Sequence, residues 1–342
     1  MAVKPVTKQA IKFRDKPIGF RRAGEPRINQ ADLVVLTVAG QIAHPVSKSS
    51  PYRIGQDGIP RILPGTGGIV INYRIGDRCV GLQADHVEPG VSIKNYVRSS
   101  GTDKDGENLA LNTYACVGNI ATVLDGPCKD KKGLVTGKHG GVNHVLIDFP
   151  EKVLRALRIG DKIQINSYGV GLRLLDHSEI TVWNCDPRLL SKWGVQSKPP
   201  RLYVPVSHMI PAGLMGSGLG RSNALRGDYD IQLSNPEINR RLKLDTLRFG
   251  DFVAIIDADT RFGRSFKKGF MTIGIVVHSD STVSGHGPGV VTLFSGESRF
   301  IQPQKDNQAN LAIMMGIKEL SRPAAQKTLL QKDQKCLKRR LD

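Results

Sequence analysis

Four stretches of this chain set histidine, lysine or aspartate beside glycine, and the neighbours decide which chemistry is open to them. Residues 272–294 read TIGIVVHSDSTVSGHGPGVVTLF. His278 follows Ile275, Val276 and Val277, so it sits at a strand end where loops converge. His286 stands between Gly285 and Gly287 and so has an accessible imidazole, the side chain that titrates most easily near neutral pH. With Asp280 between them, the two histidines suit metal ligation or general-base work. A turn with polar decoration is the alternative.

Residues 133–149 (GLVTGKHGGVNHVLIDF) set Lys138 and His139 before Gly140 and Gly141, with His144 opening the next strand. Glycines let backbone N–H groups approach a ligand, and a lysine and a histidine in one turn suit an anion or a carbonyl oxygen. His139 and His144 lack the i, i+4 spacing of a helical zinc site. Residues 204–232 contain Gly216, Ser217, Gly218 and Gly220, followed by Arg221. Such a loop can offer N–H donors to phosphate or carboxylate. The P-loop and Rossmann spacings both fail, and Met215 breaks the G-x-S-x-G pattern. Asp228 and Asp230 then share one strand face, with Tyr229 on the other, either as a cation-binding pair or as a solvated face.

In residues 254–265 (AIIDADTRFGRS), Asp257 and Asp259 end an apolar strand and point to one side if it is extended. Such carboxylates hold hard divalent cations or are neutralised by the nearby Arg261 and Arg264. Asp85, His86 and Glu88 are adjacent, but an extended chain sends Asp85 and His86 opposite ways, and a turn before Pro89 and Gly90 accounts for them.

The resulting assignment has His278, His286 and His139 as catalytic groups. Lys138, Gly140, Gly141, Gly216, Ser217, Gly218 and Gly220 hold the substrate. Asp257, Asp259 and His278 hold a divalent metal such as Mg²⁺, Mn²⁺ or Zn²⁺. One pocket shared by the Lys138 and His286 loops is expected, within about 15 Å, the reach of a small ligand.

These groups need a scaffold. Short β-branched runs separated by glycine read as strands: residues 31–40, 67–74, 120–124, 144–149, 179–185 and 228–233. Helical spacing is expected from Pro150, from Pro236 behind Asn235 as cap, from Asn307, and in a basic C-terminal helix from about Ala324. The pattern Arg, apolar, Gly, Asp recurs as Arg74–Asp77, Arg158–Asp161 and Arg248–Asp251, each ahead of an apolar run. Gly and Asp suit a tight turn into a strand, so repeated β-architecture is expected. Pro199 and Pro200 favour a linker or an edge strand. The fold class expected is α+β and β-rich, with compact barrel or sandwich-like units and a few peripheral helices. The expected domains are residues 28–198, β-rich, and 199–320, α+β with the Gly-rich loop, between basic tails of residues 1–27 and 321–342.

The charge balance is +18, but the two tails supply +11 of it. No RNP-like, helix-turn-helix or zinc-finger pattern accompanies them. Cysteines are five, widely spaced and without C-x-x-C, which speaks against a disulfide framework and suits a cytoplasmic chain. No secretory h-region and no membrane-length apolar run occurs.

The segments VTGKHGGVNHVLIDF, IPAGLMGSGLG, GDYDIQ, LRFGDFVAIIDAD and GIVVHSDSTVSGHGPGV, in this order, resemble the prokaryotic family catalogued as domain of unknown function 4438. The likeness spans roughly residues 30–320 and implies a globular, β-rich chain. It brings no substrate, cofactor or catalytic residue.

The function expected is a metal-assisted hydrolase or acid–base enzyme acting on a small polar or anionic molecule, assembled as a homo-oligomer. A non-catalytic anion-binding module, with basic tails for a partner or nucleic acid, is the alternative. Tail-driven nucleic-acid binding predicts that deleting residues 1–27 and 321–342 abolishes salt-sensitive binding in a titration at two ionic strengths. Unchanged binding rejects it.

Overall fold

The computed structural model describes residues 24–47, 52–96 and 106–317. Most of the N-terminal tail, all of the C-terminal tail and the helix expected from Ala324 lie outside the described residues.

The first half of the chain makes nine strands: β1 (Leu36–Ile42), β2 (Arg53–Ile54), β3 (Pro60–Arg61), β4 (Ile69–Val70), β5 (Gly90–Lys94), β6 (Ile120–Val123), β7 (Lys132–His139), β8 (His144–Asp148) and β9 (Lys162–Ser167). Six of them run in the order β1-β9-β6-β7-β8-β5, and β1 pairs again with β5. That last pairing closes a barrel and leaves none of the six with an open edge. Its interior is filled by Ile42, Val91, Ile93, Val135, Val145, Ile147, Ile163 and Ile165. Leu111, fully buried, adds to this core from α1 (Gly106–Tyr114). β4 extends the sheet beyond β5, and β2–β3 is a separate hairpin. α2 (Glu151–Leu154) follows Pro150, as the sequence suggests, but is a single turn.

The second half adds β10 (Thr181–Val182), β11 (Gln196–Lys198), β12 (Arg201–Val206), β13 (His208–Pro211), β14 (Tyr229–Asp230), β15 (Phe252–Asp259), β16 (Ser265–Val276), β17 (Gly289–Glu297) and β18 (Ile301–Lys305). The larger sheet runs β10-β17-β16-β15-β13, with β14 also on β17. β10 therefore carries residues 181–182 into the sheet of the second half. Pro199 and Pro200 form the turn of the hairpin β11–β12, and β12 runs parallel to β18. Trp193 ends α3 (Pro187–Trp193) and stacks on Phe252 at 4.0 Å and on Phe294 at 5.2 Å between ring centroids. α3 shows complete end signals: Asp186 accepts from the Arg188 N–H, Pro187 occupies the first turn, and Gly194 closes the helix in the left-handed region. α4 (Pro236–Leu242) is capped by Asn235 as expected. α5 (Leu311–Met314) is cut short before Gly316, whose φ is +67°.

The three Arg-apolar-Gly-Asp copies fold alike. In each, the aspartate carboxylate accepts the arginine's backbone N–H, at 2.8, 2.9 and 3.0 Å, and the glycine holds a positive φ. The second and third copies lead into β9 and β15. The first lies against the third through Gly76 N–H to Phe249 O and Phe249 N–H to Asp77 O.

The barrel meets the second sheet where β7 bulges, between Val135 and Gly137. Val277 packs directly on Gly137, and a Cβ there would overlap the Val277 side chain. Gly137→Ala is therefore expected to lower stability by about 1–3 kcal/mol, as overpacking does, read as a fall in melting temperature. An unchanged melt would show that Val277 can move away.

Candidate metal centre

Eight ionisable side chains converge at this junction, and each arrives from a segment end. His86 and Glu88 come from the chain between β4 and β5, His139 from the last residue of β7, and His144 from the first of β8. Asp228 and Asp230 flank the buried Tyr229 on β14, His278 follows β16, and His286 lies in the loop before β17. All but the half-buried His286 are buried.

The imidazoles are held by acceptors on their outer side. His139 Nδ1 lies 2.5 Å from Glu88 Oε1, His86 Nδ1 lies 2.9 Å from Asp85 Oδ1, and His278 Nδ1 lies 2.8 Å from the Ser279 carbonyl oxygen. Carboxylate and carbonyl oxygens only accept, so each Nδ1 donates and each Nε2 faces inward, a lone pair whenever the ring is neutral. This outer-shell arrangement is the one that orients metal-binding histidines.

The inward atoms form two triads, His139–Asp228–His278 and His86–Asp230–His286, and within each all ligand atoms lie within 4.8 Å of one another. In the first, His278 Nε2 and Asp228 Oδ2 are buried and 2.7 Å apart. In the second, His286 Nδ1 is 3.0 Å from His86 Nε2 and 3.1 Å from Asp230 Oδ2. Asp230 joins the two, since Oδ1 faces His278 at 3.7 Å while Oδ2 faces His86 at 3.6 Å.

The electrostatics follow from burial. Burial opposes a charge on His278, but Asp228 and Asp230 beside it push its pKa up to about 9. Burial likewise opposes ionisation of Glu88, yet His144 and His139 hold its carboxyl well below the usual range. Asp230 is lowered in spite of burial by its hydrogen bonds to His286 and His86. The imidazoles beside them thus favour the ionised form of the buried carboxylates. Three or more nitrogen and oxygen donors around one point are what a borderline divalent cation takes.

Of the sequence-assigned groups, the structure brings His139, His278 and His286 together, and the His139 and His286 loops line one cavity of about 910 Å³. Gly140, Gly141, Ser217 and Gly218 line it too. Lys138 does not join them. Strand alternation turns it to the other face of β7, where its Nζ donates to Asn184 Oδ1 and Leu225 O, both at 2.6 Å, and burial pushes its pKa down to about 8. The Gly216–Gly220 loop spends its donors internally: Gly216 N–H goes to Asp230 O, Ser217 to Gly285 O, and Gly220 to Arg264 O. Its glycine at 216 serves close packing, because a Cβ there would overlap the Gly285 carbonyl. Asp257 and Asp259 belong to neither triad. Asp257 adopts φ +62° at a bulge of β15 and accepts the Gly269 N–H, which breaks the alternation that would align the pair. Asp259 is ion-paired with Arg261 at 2.9 Å and Lys267 at 3.3 Å.

The groups left out of the assignment are His86, Glu88, His144, Asp228 and Asp230. Alternation sends Asp85 and His86 apart, but His86 has φ +57°, and this local turn puts its ring against the Asp85 carboxylate. The Asp-x-Asp spacing on β14 was the available signal for the other pair.

Gly289 packs against the first triad, where a Cβ would overlap Asp228 Oδ2 and His278 Nε2. Gly289→Ala is expected to weaken divalent-metal binding about tenfold or more in a metal titration, with the circular dichroism spectrum retained. Unchanged affinity would place the metal elsewhere.

Comparison with known proteins adds a family. The sequence model described as "Domain of unknown function (DUF4438), N-terminal" matches residues 52–191, and "Domain of unknown function (DUF4438), C-terminal" matches residues 192–315. No curated protein matches the chain. A solved structure described as "Crystal structure of TM1086" is similar to it at 44% sequence identity, covering 84% of this chain and 99% of that one, with a TM-score of 0.79. The chain belongs to the DUF4438 family.

Proposed function

We propose that this protein is a hydrolase with a dinuclear metal centre, acting on a small anionic molecule in the cavity above the two triads. The observation that carries this reading is the His278 Nε2–Asp228 Oδ2 pair, buried and 2.7 Å apart beside His139. A proton on His278 joins the two atoms, and a divalent cation taking both as ligands would displace it. The companion triad, sharing Asp230, repeats the arrangement. Two imidazoles and a carboxylate in each triad suit Zn²⁺ or Mn²⁺ better than Mg²⁺, which prefers oxygen donors and water.

A bound pair of divalent cations supplies an activated water at neutral pH and polarises a substrate oxygen. The chain's own residues do the rest. Glu88 and Asp85 fix the rings of His139 and His86, and Asp230 keeps the two triads in register. His286, the one half-exposed member, faces the cavity through which a substrate enters.

Purified protein analysed by mass spectrometry for metals is expected to hold two equivalents of Zn²⁺ or Mn²⁺ per chain. His278→Ala and His286→Ala should each lose at least one equivalent and most hydrolytic activity against a panel of chromogenic phosphate and carboxylate esters. Protein that keeps no metal after dialysis, and whose melting temperature does not rise with Mn²⁺ or Zn²⁺, would sink the proposal.

A further inference from the structure

Three arginines line the cavity: Arg53, Arg61 and Arg221. Arg53 is ion-paired with Asp85 at 2.9 Å, and Arg61 with Asp57 at 2.5 Å. Among the described residues Arg221 has no carboxylate partner, although its backbone is fixed. Its N–H donates to Gly218 O, and its carbonyl accepts the Arg264 N–H at 3.0 Å.

The Arg221 guanidinium rests over a glycine pair. A Cβ on Gly140 would come 2.9 Å from Arg221 Nη1, and one on Gly227 would come 3.7 Å from it. Gly140 follows His139, Gly227 precedes Asp228, and the Gly140 N–H donates to Asp228 Oδ1 at 2.8 Å. The free cation thus lies against the two segments that supply donors to the first triad. A side chain at Gly140 would crowd the space it occupies.

The geometry points to Arg221 as a substrate-binding residue for a phosphate group, which makes the substrate class a small phosphate ester. This rests on the dinuclear reading above. A carboxylate has two oxygens, which cations held by the triads and a guanidinium would have to share. A phosphate group has a third oxygen, and the planar fork of arginine matches it. Hydrolysis forms a P–O bond from water and breaks the P–O bond to the alcohol. A water proton passes to the departing alkoxide, and no redox partner is required.

The test uses full-length protein loaded with Mn²⁺, titrated calorimetrically with inorganic phosphate and with acetate, with metal content measured in every sample. The wild-type chain should bind phosphate at least tenfold more tightly than acetate. Arg221→Gln should weaken phosphate about tenfold or more with metal retained, while Arg61→Gln, removing an already paired charge from the same wall, should not. Equal phosphate affinity in Arg221→Gln with full metal would overturn the assignment. Acetate binding as tightly as phosphate would overturn the substrate class and leave the metal centre standing. Samples that hold no metal would remove the centre, and this inference with it.

Discussion

Buried carboxylate charge is the constraint around which this molecule is organised. Glu88, Asp228 and Asp230 are all buried at one junction, where an ionised carboxylate without compensation is very costly. The chain answers with imidazoles on every side. Glu88 alone faces His139 and His144 and also accepts from the Gly67 N–H and the Ser92 hydroxyl. Satisfied this fully, Glu88 is a positioning group. Asp228 Oδ2 faces an inward imidazole nitrogen instead, His278 Nε2 at 2.7 Å, and that contrast separates the outer shell of the cluster from its inward donors.

The scaffold serves this arrangement through close approach of backbone. Gly137 lets Val277 seat on β7, Gly289 makes room for the Asp228–His278 contact, and Gly287 lies so near Ile231 O that a Cβ would overlap it. Gly216 does the same against Gly285. These four glycines bring backbone segments close together beside the polar cluster. Arg264 has a related role: buried, it caps the carbonyls of Gly227 and Asp228 and stacks on Tyr229 at 5.2 Å, which steadies β14.

Much of the framework was legible in the sequence. The strands from Ile120, His144 and Thr181 fall within expected runs, that from Leu36 overlaps one, and the Gly-Asp turns recur as the repeat implies. The His139 and His286 neighbourhoods were legible because each histidine stands beside glycine, and His278 because it ends an apolar strand. What was not legible depends on single backbone torsions. His86 and Asp257 both take positive φ without being glycine, and each reverses an alternation argument, one bringing a pair together and the other parting it. Lys138 went astray by the opposite route, since alternation was followed strictly and its neighbour His139 took the inward face. Asp228 and Asp230 looked solvated because nothing local reveals that a second sheet covers them.

Each triad is assembled in the same manner across the chain. One histidine comes from residues 52–191, and one aspartate and one histidine come from residues 192–315. Neither unit alone owns a complete set of donors, although each has strands and apolar packing of its own. The two units are thus bound to a common inheritance: a gene that lost either would forfeit both pockets of converging donors at a stroke.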